Sequence, residues 1–127
     1  TIRSFEDMES WKKARRLSKA LGEMIINGRF GRSFRLINQM EGSVGSIMDN
    51  ISEGFERGTR AEFIQFLGYA KGSCGELRSQ LYRAYDWRLL DEDEFVKLKT
   101  EVILISAMLQ SLITYLQQTN VSGTRRR

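Results

Sequence analysis

The sequence predicts an all-α protein, folded as an antiparallel, up-down four-helix bundle. Four segments carry apolar residues every three or four positions, the spacing that places them on one face of a helix. Glycine or helix-capping residues separate the segments, and such short connections favour antiparallel neighbours. Proline, the strongest helix breaker, is absent from the 127 residues, a length typical of one domain.

The first two helices are predicted at about residues 5–27 and 33–57. Asn27-Gly28 ends the first helix, and Ser33 is the predicted cap of the second. In the second helix the apolar positions step by three and four residues, as in a heptad seam. The predicted core positions of these two helices are Met8, Trp11, Leu17, Leu21, Met24, Ile25, Ile37, Met40, Val44, Ile47 and Ile51.

The last two helices are predicted at about residues 60–88 and 92–118. Thr59 and Glu62 form a predicted capping box, and Asp91 caps the fourth helix. Together the helices make one domain, residues 1–119, followed by a flexible basic tail, residues 120–127. The predicted core positions of the third and fourth helices are Phe63, Phe66, Leu67, Ala70, Cys74, Leu77, Leu81, Tyr85, Phe95, Leu98, Val102, Ile105, Leu109, Leu112 and Leu116.

The third and fourth helices carry more apolar residues than one core face needs. A helix that is apolar most of the way round is buried on two sides. Because a chain of this length has no second layer to supply that burial, we predict a homo-oligomer. The alternative is a wide core stripe in a monomer. The additional apolar residues are Ile64, Tyr82, Ile103, Leu104, Met108 and Ile113.

Glycines are frequent inside the second and third helices, where each costs up to about 1 kcal/mol relative to alanine. We expect them to mark close packing of helix backbones, with a hinge as the alternative. Cys74, in the same run, is expected to be a small core residue. The glycines are Gly42, Gly45, Gly68, Gly72 and Gly75.

Histidine is absent from the chain, which excludes Ser-His-Asp and Cys-His catalysis and most zinc sites. Glu53 and Glu56 can share a helical face as a carboxylate pair, but pairing with nearby Arg57 and Arg60 is the favoured interpretation. Asn50 is expected to tie its helix to a neighbour, with ligand contact as the alternative. No nucleotide-binding glycine motif is present. We therefore predict no enzyme activity, no cofactor and no metal.

The basic residues concentrate in the first helix and the connection after it. Residues 1–35 hold nine Lys and Arg against four Asp and Glu, a net charge of +5, and Glu23 is the only acid between residues 10 and 35. Such a face attracts phosphate, although a solvated polar face explains it equally well. The candidate nucleic-acid-binding residues are Lys12, Lys13, Arg15, Arg16, Lys19, Arg29, Arg32 and Arg35.

Neither a signal peptide nor a membrane helix is evident in the sequence, and one cysteine cannot form an internal disulfide. The expectation is a cytoplasmic protein without a membrane partner.

Three motifs resemble those of the four helix bundle protein family, which includes proteins encoded by intervening sequences of bacterial large-subunit ribosomal RNA genes. The resemblance covers roughly residues 5–118. The first motif is carried by Phe5, Asp7, Met8, Trp11 and Ala14. The second is carried by Ser46, Ile47, Asn50, Ile51, Ser52, Glu53 and Gly54. The third is carried by Glu62, Phe63, Phe66, Leu67, Ala70, Gly72, Ser73, Glu76 and Leu77.

The resemblance implies a four-helix bundle. Through related accessory variability determinants of diversity-generating retroelements, it also implies a basic homopentameric barrel that binds a reverse transcriptase and nucleic acid. Glu41-Gly42 stands where many relatives have paired arginines, and Met48 where proline is common. The motif residues to which the resemblance assigns a structural role are Asn50, Glu53, Gly54, Glu62, Gly72 and Ser73.

The sequence thus predicts a non-enzymatic, oligomeric helical scaffold with a basic face, which binds RNA or DNA, a nucleic-acid enzyme such as a reverse transcriptase, or both. The alternative is a protein-binding or structural homo-oligomer with no nucleic-acid role.

Overall fold

The computed structural model describes residues 2–119, and within that range it contains four α-helices and no β-strand. The predicted all-α class is confirmed. The predicted basic tail, residues 120–127, lies outside the described residues. The helices are α1 (Glu9–Ile26), α2 (Phe34–Glu56), α3 (Arg60–Asp86) and α4 (Glu92–Gln118).

The first helix begins four residues later than predicted. A 3-10 turn, Phe5–Asp7, precedes it, and Met8 interrupts the helix with an extended backbone (φ −77°, ψ 128°). The carboxylate of Asp7 accepts hydrogen bonds from the backbone N–H groups of Arg3 (2.8 Å) and Ser4 (3.1 Å), which closes the turn. Local hydrogen bonding to an aspartate therefore replaces the first turn of the predicted helix.

The helix caps agree with the sequence in part. Asp91 and Glu94 form a complete capping box, because each carboxylate accepts the other residue's backbone N–H. Thr59 accepts the N–H of Glu62 at 3.2 Å, but the Glu62 carboxylate accepts from the Thr59 hydroxyl instead of reaching back to its backbone. Ser33 occupies the cap position of α2 without a side-chain cap hydrogen bond.

A single core lies between the helices, with α3 packed against α2 and α4, and α1 packed against the same two helices. Most predicted core positions are buried. At the start of α2, however, Leu36 is fully buried while Ile37 is only half-buried. Phe30, in the connection between α1 and α2, is buried although periodicity gives no signal for it. The predicted core positions that are only half-buried are Trp11, Met24, Ile25, Ile37, Phe66, Tyr85 and Leu112.

The predicted close packing of the mid-helix glycines is wrong within one chain. A Cβ added at Gly42, Gly45, Gly68, Gly72 or Gly75 would meet no neighbouring atom within 4 Å. These positions face away from the core. Their sequence neighbours Ser43, Ser73 and Cys74 are the ones that are buried. The glycine that does pack closely is Gly54, because a Cβ there would lie 2.7 Å from the Cβ of Phe66.

The additional apolar residues divide into two groups. Ile113 is buried in the core of its own chain, Ile64 packs against that core, and Met108 is half-buried. Tyr82, Ile103 and Leu104 remain 41–45% exposed. Two residues of the predicted second apolar face therefore belong to the ordinary core, while the exposed ones lie on α3 and α4.

Candidate nucleic-acid interface

Most basic residues of α1 lie on the side of the helix opposite the core. The buried side is formed by Ser10, Ala14, Leu17 and Leu21. Arg15, Arg16 and Lys19 are exposed, and the Lys12 side chain is 44% exposed. Their spacing places them on one face. We call these four residues, Lys12, Arg15, Arg16 and Lys19, the basic face of α1.

Few contacts neutralise the basic face. Lys12 pairs with Glu9 at 3.3 Å, one turn away on the same helix, and the Arg15 guanidinium lies 5.9 Å from the centre of the Trp11 ring. Arg16 and Lys19 make no ion pair with any residue of the described range 2–119. Because an exposed ion pair contributes only about 0–1 kcal/mol, Lys12 can exchange Glu9 for a phosphate at low cost.

Lys13 lies at the edge of α1 and faces α4. Its ammonium nitrogen is 3.9 Å from a carboxylate oxygen of Glu101, and its side chain is 29% exposed. Its ammonium group is thus directed towards α4 and not towards the outer side of α1. Lys13 therefore stands apart from the four residues of the basic face.

Arg29 is tied to α4. Its guanidinium donates two hydrogen bonds to the Glu94 carboxylate, at 2.5 and 2.6 Å. The pairing with Arg29, together with the backbone N–H of Asp91, lowers the pKa of Glu94 to about 2. A bidentate pair of this kind is among the stronger side-chain interactions. Arg29, a predicted phosphate-binding residue, therefore joins the α1–α2 connection to the start of α4.

Arg32 and Arg35 differ from Arg29. Both are exposed, and neither has an ion pair within residues 2–119. Arg32 lies in the connection between α1 and α2, and Arg35 in the first turn of α2. Their charges therefore remain available to an anionic ligand.

Asn50 was expected to tie α2 to a neighbouring helix, but its side chain bonds within α2 instead. Its side-chain amide donates to the backbone carbonyl of Ser46, one turn earlier in the same helix, at 2.8 Å. The half-buried amide is thereby satisfied within α2, as short polar side chains often are.

Arg57 organises the turn between α2 and α3. It pairs with Glu62 at 2.7 Å and with Glu53 at 3.4 Å, and its guanidinium lies 5.3 Å from the centre of the Phe66 ring. Hydrogen bonds from Thr59 and Arg57 lower the pKa of Glu62. The predicted pairing of Glu53 with Arg57 is confirmed, whereas Arg60 donates to the backbone carbonyl of Thr119 instead of pairing with Glu53 or Glu56. Across the described part of the chain, no three acidic or cysteine side chains are grouped to hold a metal ion.

Two adjacent motif residues in the middle of α3 differ in burial. Gly72 is exposed, whereas Ser73 is buried at 7% exposure. Cys74 is buried beside Ser73, and burial raises the pKa of its thiol to about 12. A thiol with that pKa is protonated at neutral pH, so the expectation of a core residue is confirmed.

Exposed aromatic residues were missed by the sequence reasoning. Trp87 at the end of α3 is 54% exposed, and Phe34 at the start of α2 is 64% exposed. Hydrophobic periodicity predicts which face of a helix a residue lies on. Both residues lie at helix ends, where this prediction is weakest because helix boundaries are uncertain. The available signal was the arginines at positions 83 and 88, on either side of Trp87.

The fold is that of a small all-α protein with a basic face on α1. The model of the family described as 23S rRNA-intervening sequence protein matches residues 6–111. The chain belongs to this family. A comparison with curated proteins returned no match. Along residues 2–119, none of the helices combines the length and the apolar character needed to cross a membrane.

Proposed function

We propose that the chain is a non-enzymatic, oligomeric helical scaffold that binds nucleic acid through the basic face of α1. One observation carries the proposal: Arg15, Arg16 and Lys19 are exposed together, with Lys12 beside them. The complete lack of histidine supports a binding role over an enzymatic one.

The physical basis is the release of counterions from phosphate. Each cationic side chain that contacts a phosphate releases about 0.9 of a condensed cation from duplex DNA, so affinity falls steeply with salt. Long, flexible lysine and arginine side chains on an outer helix face suit the nucleic-acid backbone, which carries no sequence information by itself. We therefore propose binding with little sequence preference, to RNA or DNA.

The bundle is proposed to be antiparallel. On α2 and α3, Phe55 contacts Phe63 at one end, and Gln39 bonds Arg83 at the other. On α3 and α4, Lys71 bonds Gln110, while Tyr85 stacks on Phe95. In both pairs, contacts late in one helix fall early in the next, which supports opposite directions.

Self-association is the second part of the proposal. Ile103 and Leu104 on α4 are 41% and 42% exposed, and Val96 on the same helix is 48% exposed. Burying such side chains in a second copy contributes roughly 25 cal/mol per Å² of apolar surface. Assembly would also multiply the basic face and raise avidity. The resemblance implies five copies.

The test measures binding of RNA to the chain by fluorescence anisotropy, at a series of salt concentrations. We expect affinity to fall steeply with salt. Arg16→Glu combined with Lys19→Glu should reduce it about tenfold or more at low salt, since two phosphate contacts become repulsive.

The matched control is Arg78→Glu combined with Lys97→Glu. It makes the same change in net charge at exposed positions outside the basic face. An equal loss of affinity in both variants would show that net charge alone attracts the RNA. Binding that is absent, or insensitive to salt, would contradict the proposal.

The other candidate function is a protein-binding or structural homo-oligomer, and the exposed apolar side chains on α4 favour it. A nucleic-acid enzyme, such as the reverse transcriptase that the resemblance implies, is a partner class that would use both surfaces. An oligomer that is indifferent to RNA would select the protein-binding function.

A further inference from the structure

The end of the bundle where α3 stops combines exposed aromatic and basic side chains. The Arg83 guanidinium lies 5.1 Å from the centre of the Trp87 ring, within the range of a cation–π contact. Arg83 is fixed in this position because it also donates to the side-chain oxygen of Gln39 on α2, at 2.7 Å. Trp87 nevertheless remains 54% exposed. A positively charged group therefore covers part of the indole, and about half of the Trp87 surface is exposed to solvent.

The register between α2 and α3 places Arg35 on the same edge. Arg35 lies one turn before Gln39 on α2, and Trp87 lies one turn after Arg83 on α3. Because the Gln39–Arg83 hydrogen bond fixes the register of two antiparallel helices, the next turn outward brings Arg35 towards Trp87. Arg35 is exposed and has no ion pair within residues 2–119.

Arg88 is the second, independent observation. It adopts the left-handed conformation, with φ 62°, while the other positive-φ residues of the described chain are Gly28, Gly31 and Gly58. The same motif ends α1, where Gly28 takes the equivalent position. A side chain in this conformation is strained relative to glycine. Strain of this kind concentrates at functional sites, and this favours a functional role for the Arg88 side chain.

We propose that Trp87, framed by Arg35, Arg83 and Arg88, is a base-stacking position for single-stranded nucleic acid. The inference rests on the proposed nucleic-acid binding and adds the class of ligand. An unpaired base can stack on an exposed indole, whereas bases inside a duplex are already stacked on one another. The neighbouring arginines supply contacts for the phosphates on either side of that base.

Carboxylates restrict the path of the strand. Asp86 and Asp91 line a depression together with Arg29 and Arg88 at the α3–α4 turn, so two carboxylates balance the two arginines there. Phosphates are attracted less strongly to this depression than to Arg35 and Arg83. The strand is therefore expected to follow the edge of α2 and α3, past Arg35 and Arg83, instead of crossing the start of α4.

The first test compares a labelled twelve-residue oligothymidylate with a duplex of twelve base pairs, at low salt. Trp87→Ala should weaken single-strand binding by about fivefold or more and leave duplex binding within about twofold. The matched control is Tyr69→Ala. Tyr69 is 49% exposed on the same helix, eighteen residues earlier and therefore about 27 Å away on the same face.

The second test uses the intrinsic fluorescence of the chain, which contains Trp11 and Trp87. The oligothymidylate should quench the wild-type fluorescence, and the quenching should disappear in Trp87→Phe, which retains an aromatic ring and reports on Trp11 alone. Arg88→Gly relieves the left-handed strain, so reduced single-strand binding in that variant would follow from the lost side chain and not from unfolding.

The outcomes separate this inference from the proposed function. Binding of both nucleic acids that is unaffected by Trp87→Ala overturns the stacking position and leaves the basic face of α1 in place. Failure of both to bind overturns the proposed function and the inference with it. A fall in oligomer mass in Trp87→Ala, without quenching in the wild type, would assign Trp87 to a contact between copies.

Discussion

Gly54 illustrates how one residue couples the end of α2 to the start of α3. It is buried, and a Cβ at this position would lie 2.7 Å from the Cβ of Phe66 and 3.3 Å from the Phe63 ring. Both neighbours belong to the first two turns of α3. The absence of a side chain at Gly54 is therefore a packing requirement of the α2–α3 contact.

We predict that Gly54→Ala destabilises the chain by up to about 2 kcal/mol. Overpacking costs about 1–3 kcal/mol, and the gain in helix propensity, up to about 1 kcal/mol, offsets part of that cost. The measurement is the free energy of unfolding by urea.

The matched control is Gly42→Ala, on the same helix, where an added Cβ meets nothing within 4 Å. It should be neutral or stabilise by up to about 1 kcal/mol. Equal effects of the two substitutions would contradict the packing argument.

Besides the shared core, ion pairs join the helix elements at their ends. The α1–α2 connection is held to α4 by the bidentate pair between Arg29 and Glu94, and the α2–α3 turn is held by Arg57 between Glu53 and Glu62. In both cases a carboxylate of a helix's first turn also takes part in a cap hydrogen bond. In α3 and α4, the same side chain therefore takes part in the helix cap and in the ion pair at the helix start.

We predict that the Glu94 interaction stabilises the fold in a pH-dependent manner. Its folded pKa of about 2 lies below its ordinary value of 4.5, so the stabilisation is complete above about pH 4.5 and is lost as the pH falls towards 2. Glu94→Gln should cost about 1–2 kcal/mol at pH 7 and almost nothing at pH 2. Urea unfolding at the two pH values measures the difference.

Glu92→Gln is the control for that prediction, because Glu92 is an exposed acid in the same first turn of α4. It should change the unfolding free energy by less than about 0.5 kcal/mol at either pH. A cost of Glu94→Gln that stays constant with pH would show that its charge is not involved.

The whole molecule presents two contrasting surfaces. The basic face lies on α1, and exposed apolar side chains lie on α4, with Ile103 at 41% and Leu104 at 42% exposure. Scattered exposed apolar residues are normal on monomers. Their repetition along one helix is what favours the proposed contact between copies.

We predict that Ile103→Glu lowers the solution mass measured by light scattering, because a charge cannot be buried in an apolar contact without a partner. The folded monomer should keep its helical content, since Ile103 is already exposed. Asn38→Glu, which adds a charge at an exposed position on α2, should leave the mass unchanged. A wild-type chain that is monomeric would remove the basis for this prediction.

What the sequence determined by itself is local. The four helices, the Asp91 cap, the Gly28 end of α1 and the basic face of α1 follow from patterns that span a few residues. Such patterns depend on backbone geometry within one or two helical turns. They can therefore be recognised without knowing which helices are neighbours.

Only the tertiary structure decided the contacts between distant residues. Arg29 and Glu94 are 65 positions apart, and no local rule pairs them. Equally, the sequence alone does not distinguish the buried Gly54 from the exposed Gly72, or place Arg83 over the exposed Trp87. Charge and shape become specific only when helix packing brings particular faces together, because packing determines which side chains lose contact with water and which keep it.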